Sequence, residues 1–157
     1  MCHDARMGNY RVSRSASIAA DPALVHRLVN DLHEWPAWSP WEGVDPALER
    51  VYSGADSGVG AHYAWSGNRK AGRGSMEITG STPERVDLMI VFVKPFRSTS
   101  EVSFLLASNG TGTDVTWAMS GEQTGVMGVL GKVVTMDRLV GKDFERGLAQ
   151  LKAAAEA

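Results

Sequence analysis

Two periodicities divide this chain. Between Val59 and Met119, five stretches alternate apolar and polar residues. The C-terminal stretch instead repeats apolar residues at helical spacing: Val129, Val133, Met136, Val140, Phe144, Leu148 and Leu151. A period of two marks strands with one buried face, and a spacing of three or four marks an amphipathic helix. One long helix laid across one antiparallel sheet tends to enclose an apolar hollow. Function is therefore expected in that hollow rather than at a catalytic motif.

The chain has 157 residues, enough for one domain with a sizeable core and short for two. We expect a flexible stretch over 1–9 and a single domain over 10–157. A net charge of −2 without a Lys/Arg cluster gives no footprint for nucleic acid. The longest clean apolar run, 88–93, is far too short to span a bilayer, so no stable membrane insertion is expected. The N-terminal residues include His3, Asp4 and Arg6 and lack an apolar signal core, which makes the cytoplasm the expected location. Cys2 is the sole cysteine, which excludes an intrachain disulfide and a thiolate metal cage.

The order of elements follows from local chemistry. A first strand is expected over 10–20. Asp21-Pro22 supplies a helix N-cap with proline at the first helical position, and Leu24, Val25, Leu28, Val29 and Leu32 form one stripe, predicting a short helix over 22–32. Pro36 ends it, because a residue before proline disfavours the helical region. Trp35, Trp38 and Trp41 then recur every third residue, as a second short helix or a turn. Strands are expected at 48–53, 59–66, 72–81, 85–93, 99–108 and 113–121. Their links carry turn residues such as Gly67-Asn68 and Asn109-Gly110, so neighbouring strands should pair antiparallel. Gly125, Gly128 and Gly131 precede the last helix, read as a plain turn or a flexible lip. That helix is strongest over 133–155 and on the order of 35 Å long.

Alternation assigns the inward faces. Val59, Ala61, Tyr63 and Trp65 share one face, with His62 opposite. Met76 and Ile78 form the next set, then Val86, Leu88, Ile90 and Phe92. Val102, Phe104 and Leu106 follow, and Val115, Trp117 and Met119 complete the face. These sets hold large aromatic and sulfur-containing side chains and no ionised residue. Such a lining suits an apolar pocket, since stranded polar groups would cost several kcal/mol each. The same alternation also describes an ordinary packed core.

The sequence resembles the START-like superfamily, and within it a bacterial member of the polyketide cyclase/dehydrase and lipid-transport group often called SRPBCC. The residues that carry the resemblance begin with Trp35-Pro36-x-Trp38-Ser39-Pro40-Trp41 and Gly58-x-Gly60-x-x-Tyr63-x-Trp65-x-Gly67-Asn68. Gly72-x-Gly74-x-Met76-x-Ile78, Phe92-x-Lys94-Pro95-Phe96 and Thr113-x-Val115-Thr116-Trp117-x-Met119-x-Gly121 continue it. Asp143-Phe144-Glu145-x-Gly147-Leu148-x-x-Leu151-Lys152 closes it. The resemblance implies an α+β helix-grip fold: a curved seven-stranded antiparallel sheet wrapped around the long C-terminal helix, with two short helices after the first strand. It implies a ligand cavity between sheet and helix. Members include lipid and sterol carriers, hormone receptors, aromatic cyclases and partner-binding modules, among which fold alone does not choose.

The residues favour a binder. The function expected is binding, and transport or sequestration, of a small to medium hydrophobic ligand of the lipid, sterol or aromatic/polyketide-like kind. Its lining would be Trp38, Trp41, Tyr63, Trp65, Met76, Ile78, Leu88 and Ile90. Phe92, Phe104, Trp117, Met119, Val133, Met136 and Val140 would complete it, with Tyr63 and Trp117 as polar handles. His3, His26, His33 and His62 are scattered, and no nucleophile elbow, zinc-helix or P-loop pattern occurs. We therefore expect no catalytic residue, no metal and no cofactor. Glu34 and Glu42 are the nearest candidate acids, and Arg69, Lys70 and Arg73 form a short basic run that either steers an acidic ligand or is a solvated turn. A polyketide cyclase/dehydratase-type enzyme is the alternative, although no inward Arg or His is expected beside Tyr63. A partner-binding regulatory module is the second alternative. Met89, Val91 and Val93 lie on the outward face of their strand and mark a possible homodimer surface.

Overall fold

The computed structural model describes residues 9–41, 47–68, 72–94, 98–122 and 133–157, with the backbone alone for Asn9, Tyr10, Glu122 and 133–139. The expected N-terminal stretch up to residue 8, Glu42, Arg69, Lys70 and the glycines at 125, 128 and 131 lie outside the described residues. Seven strands form one antiparallel sheet: β1 (Asn9–Ile18), β2 (Glu49–Gly54), β3 (Ala61–Ser66), β4 (Arg73–Thr82), β5 (Arg85–Lys94), β6 (Ser98–Ser108) and β7 (Thr113–Glu122). Their order is β1-β7-β6-β5-β4-β3-β2, a meander whose first strand returns beside the last. Helix α1 (Pro22–Asn30) and a 3-10 helix (Leu32–Ala37) follow β1, and α2 (Val133–Glu156) closes the chain against β1. This is the α+β helix-grip arrangement.

Two expectations need correction. The first helix stops at Asn30, earlier than its apolar stripe suggests, and a 3-10 helix begins at Leu32 rather than at the tryptophans. Asp31 sets that boundary: its extended backbone ends α1, and its carboxylate accepts the His33 N–H at 2.9 Å to start the next turn. Val59 does not share the face of Tyr63. It lies before β3 and is 60% exposed, because Gly58 and Gly60 adopt positive φ and hold it in a turn.

Helix α1 is tied down at its C-terminus, where the final carbonyls of any helix lack intrahelical partners. Arg27 O accepts the Asp31 N–H and Asn30 O accepts the Gly58 N–H. Between them, Leu28 O accepts Trp38 Nε1–H and Val29 O accepts Trp35 Nε1–H, each at 2.9 Å. The indoles thus satisfy their only polar group and leave their rings for the core. Residues three apart eclipse in a 3-10 helix, and the Trp35 and Trp38 rings lie 4.5 Å apart. Both meet Phe104 and Trp117 edge to face.

Helix α2 completes this cluster. Phe144, fully buried, stacks on Trp117 with ring centroids 4.1 Å apart and 10° between planes. A Cβ on Gly147 would lie 2.7 Å from the Trp117 ring, so the bare backbone lets the helix settle on the indole. On one flank Arg14 of β1 reaches Glu145 at 2.9 Å across the notch left by Gly141. On the other flank Trp41 Nε1 donates to Asp143, and Arg146 donates to Pro40 O. Glu156 accepts the Ala19 N–H and the Lys152 ammonium, anchoring the last turn to the end of β1.

Two stability predictions follow from these contacts. Phe144→Ala should cost about 3–5 kcal/mol through the lost burial and the void it leaves. Gly147→Ala should cost about 1–3 kcal/mol by overpacking, despite alanine's better helix propensity. Urea midpoints equal to the parent for both variants would contradict the packing described.

Acid should loosen the frame. Ser17 Oγ–H and the Asn109 amide donate to Asp114 and hold its carboxyl below the ordinary range; Lys152 and the Ala19 N–H do the same for Glu156. Both values are depressed on folding, so this stabilisation is present at neutral pH and is lost as acidification carries the pH down through the folded values. Asp114→Asn with Glu156→Gln should make the urea midpoint less steep on acidification, and an unaltered acid profile would contradict the assignment.

Candidate functional site

Strand register arranges the inward residues in rows that cross the sheet. Tyr52, Tyr63, Met76, Ile90 and Ser100 stand opposite one another from β2 to β6. The next row toward the end of the strands runs Arg50, Trp65, Gly74, Phe92 and Ser98. Directly opposed side chains on one face are close enough to touch. Gly74 makes the second row work: a Cβ there would lie 2.7 Å from the Trp65 ring, so the indole lies across the glycine and meets Phe92 edge to face at 5.6 Å.

The rings form a continuous series along these rows. His33 stacks on Tyr52 at 4.3 Å, Tyr52 lies 5.1 Å from Tyr63, and Tyr63 stacks near Trp65 at 6.0 Å. Trp65 and Phe92 then continue the series across β3 and β5. Tyr63 is buried, while Tyr52, Trp65 and Phe92 are only half-buried and pack against the edge of the core. Large rings in partial contact with solvent on an inward face are the expected signature of a binding surface.

The residues expected to line a ligand fall into two groups. Trp38, Ile78, Leu88, Phe104 and Trp117 are at most 2% exposed and belong to the packed cluster under α1 and α2. Tyr63, Met76, Ile90 and Met119 are buried but retain slightly more exposure, and Trp41, Trp65, Phe92 and Val140 are half-buried. Val133 and Met136 lie on α2, and their side chains are outside the described set. Trp41 bridges the groups, 5.8 Å from Trp117. Trp117 Nε1, offered as a polar handle, is buried with no acceptor among the described residues, in an indole packed against the rings of Trp38, Trp41 and Phe104. Weak N–H to ring contacts are the compensation such a donor has.

Several residues escaped the sequence reading. Tyr52 and Arg50 share the inward face through their register with Tyr63 and Trp65, so an arginine does stand on that face, opposite Trp65 at the exposed end of its strand. Alternation applied to β2 would have found both. Ser100 is a buried polar residue on the face of Val102. Arg14 shares the face of Val12 on β1, opposite Trp117, but lies five strands from Tyr63, on the order of 24 Å away. His33 had no signal, because only the 3-10 geometry brings it to Tyr52.

The titratable groups near the rings are few. Asp31 Oδ1 receives both the backbone N–H and Nδ1 of His33, each at 2.9 Å, which orients the imidazole stacked on Tyr52. His62 is on the outward face, 3.2 Å from Ser53 Oγ. His26 reaches Ser81 Oγ at 3.3 Å, and that hydroxyl donates to Asn30, which ties α1 to β4. Among the described residues, no group of His, Cys, Asp and Glu is placed to hold a metal ion, and no helix is long and apolar enough to cross a membrane.

Comparison with known proteins agrees with this frame. The KanY protein, solved in solution, has a TM-score of 0.69 at 18% identity, covering 96% of this chain and 100% of that one. Protein CV1439 from Chromobacterium violaceum has 0.68 at 16% identity, covering 94% and 99%. The di-domain ARO/CYC StfQ from the steffimycin biosynthetic pathway has 0.74 at 10% identity; the match covers 94% of this chain and 51% of StfQ, about half its length. No curated protein matches the sequence. The family model described as polyketide cyclase/dehydrase and lipid transport matches residues 10–156, and the chain belongs to that family.

Proposed function

We propose that this protein binds a hydrophobic small molecule of the lipid, sterol or aromatic/polyketide-like kind on the row formed by Tyr63, Trp65 and Phe92, and that it carries or sequesters it. The observation that carries this reading is the half-buried state of Trp65 and Phe92 on the inward face, beside the buried cluster of Trp38, Phe104 and Trp117. A ligand covering them would gain roughly 25 cal/mol for each Å² of apolar surface removed from water. Met76, Ile90, Met119 and Val140 extend the same surface toward α2. The packed cluster of Trp38, Phe104 and Trp117 then serves as its rigid wall.

The enzymatic alternative would draw on Tyr63 and on the Asp31–His33 pair, the proton-carrying groups nearest the rings. The family description and the biosynthetic setting of StfQ favour a polyketide-like ligand for such a reaction. Self-association would use the outward face, where Met89, Val91 and Val93 are half-buried. Glu77 and Glu101 stand on either side of Met89, so a two-fold contact there would draw like charges together.

The binding proposal is tested with N-phenyl-1-naphthylamine, a neutral fluorescent probe. Its emission should rise saturably on titration with the protein. Trp65→Ala should weaken binding at least about tenfold, from lost burial and ring contact. An affinity unchanged in both Trp65→Ala and Phe92→Ala would remove the row from the site.

A further inference from the structure

The outward face of the sheet carries a charge pattern of its own. Register places three rows there, about 7 Å apart along the strands. The first runs Ser53, His62, Glu77, Met89 and Glu101. The second runs Val51, Ala64, Ser75, Val91 and Thr99, short side chains without charge. The third runs Glu49, Ser66, Arg73 and Lys94. A register shift there sets two residues of β5, Val93 and Lys94, against Arg73, the two-against-one count of a β-bulge. Val51, in the neutral row, is 62% exposed, which is high for a large apolar side chain.

Two acids thus flank the neutral row on one side and two cations on the other. Glu77, Glu101, Arg73 and Lys94 are all exposed, and among the described residues none of them has an ion-pair partner. Farther along the same face, Arg85 and Asp87 do pair within the chain. Like charges directly opposed across two strands, as Arg73 and Lys94 are, destabilise the pairing. A carboxylate arriving between them would relieve it.

We propose that a second copy of this chain docks on this face, related by a two-fold axis that runs along the row of Val51, Ala64, Ser75 and Val91. Charge selects the axis. A two-fold along the row of Met89 would set Glu77 and Glu101 against their own copies, and one along the row of Arg73 would oppose the cations. A two-fold parallel to the strands keeps each row over itself and again opposes like charges. The axis along the neutral row keeps each strand over its copy and exchanges the outer rows. Arg73 then faces the partner's Glu77, and Lys94 comes between the partner's Glu77 and the partner's Glu101. Every contact occurs twice, as an isologous interface requires. The short side chains of the neutral row let the two sheets approach with their strands aligned. Three rows across five strands, roughly 19 by 14 Å, make a small interface, so association is weak and concentration-dependent. The proposal goes beyond ligand binding, which uses the opposite face of the sheet.

The test is sedimentation velocity over a concentration series. The parent protein should pass from monomer to dimer between micromolar and millimolar concentration, and high salt should weaken the dimer. Arg73→Glu and Glu77→Arg should each raise the dissociation constant at least about tenfold, since each sets like charges together at two places. Mixing the two variants should restore association as a heterodimer, because one copy then presents acids at both positions and the other presents cations. Circular dichroism equal to the parent's checks that each variant is folded. Binding of N-phenyl-1-naphthylamine should be the same in parent and variants, so failure of the dimer is distinguished from failure of the ligand site. A parent that stays monomeric to millimolar concentration would overturn the proposal. So would folded variants that dimerise as tightly as the parent, or that fail to associate with each other when mixed.

Discussion

The structure depends on how one short helix ends. The carbonyls of Leu28 and Val29 are left without intrahelical partners, and the indoles of Trp35 and Trp38 supply the missing donors. A buried polar group without a partner is costly, so these bonds fix the two side chains as firmly as packing does. Each indole then has a satisfied N–H at one end and an apolar ring at the other. The rings meet Phe104 and Trp117, and Phe144 of the C-terminal helix stacks on the far side of Trp117. One capping arrangement thereby links the first helix, the middle of the sheet and the last helix.

That linkage divides the inward face. Where the tryptophans of the 3-10 segment and α2 press on the sheet, the interior is sealed. Three rows further along the strands the same face carries Trp65 and Phe92, both half-buried, with the Trp65 ring lying across the gap that Gly74 leaves. A binding surface of this kind needs a stiff floor, since a wall that repacks would lose affinity to ordering costs. The sealed cluster provides the stiffness, and the open row provides the apolar area. Fold membership alone does not predict this division; it follows from the register and from where the tryptophans land.

Much of the frame was legible in the chain. Alternation identified the inward residues of five strands, and the spacing of Phe144, Leu148 and Leu151 identified the face of α2 that is buried. The three-residue recurrence of tryptophan was visible too, but its meaning required the 3-10 geometry that puts Trp35 beside Trp38. Val59 was misplaced because alternation carries no information about backbone sign, and glycines on both sides of it turn the chain. The site was harder to read. Parity separates inward from outward, yet Trp117 and Trp65 have the same parity and opposite fates. What distinguishes them is tertiary cover from segments distant in sequence. Tyr52 and Arg50 could have been found by extending parity to the edge strand, whereas the stacking of His33 on Tyr52 had no local signal.

The central claim is this division into a sealed cluster and an open row, and the five tryptophans report on it directly. With 15N-labelled indoles, each Nε1–H gives its own nuclear magnetic resonance signal. The account predicts slow exchange with deuterium for Trp35 and Trp38, whose N–H groups are bonded and buried. On titration with N-phenyl-1-naphthylamine the Trp65 signal should move and those of Trp35 and Trp38 should stay in place. Movement of the Trp35 and Trp38 signals with a stationary Trp65, or fast exchange of Trp35 and Trp38, would contradict it.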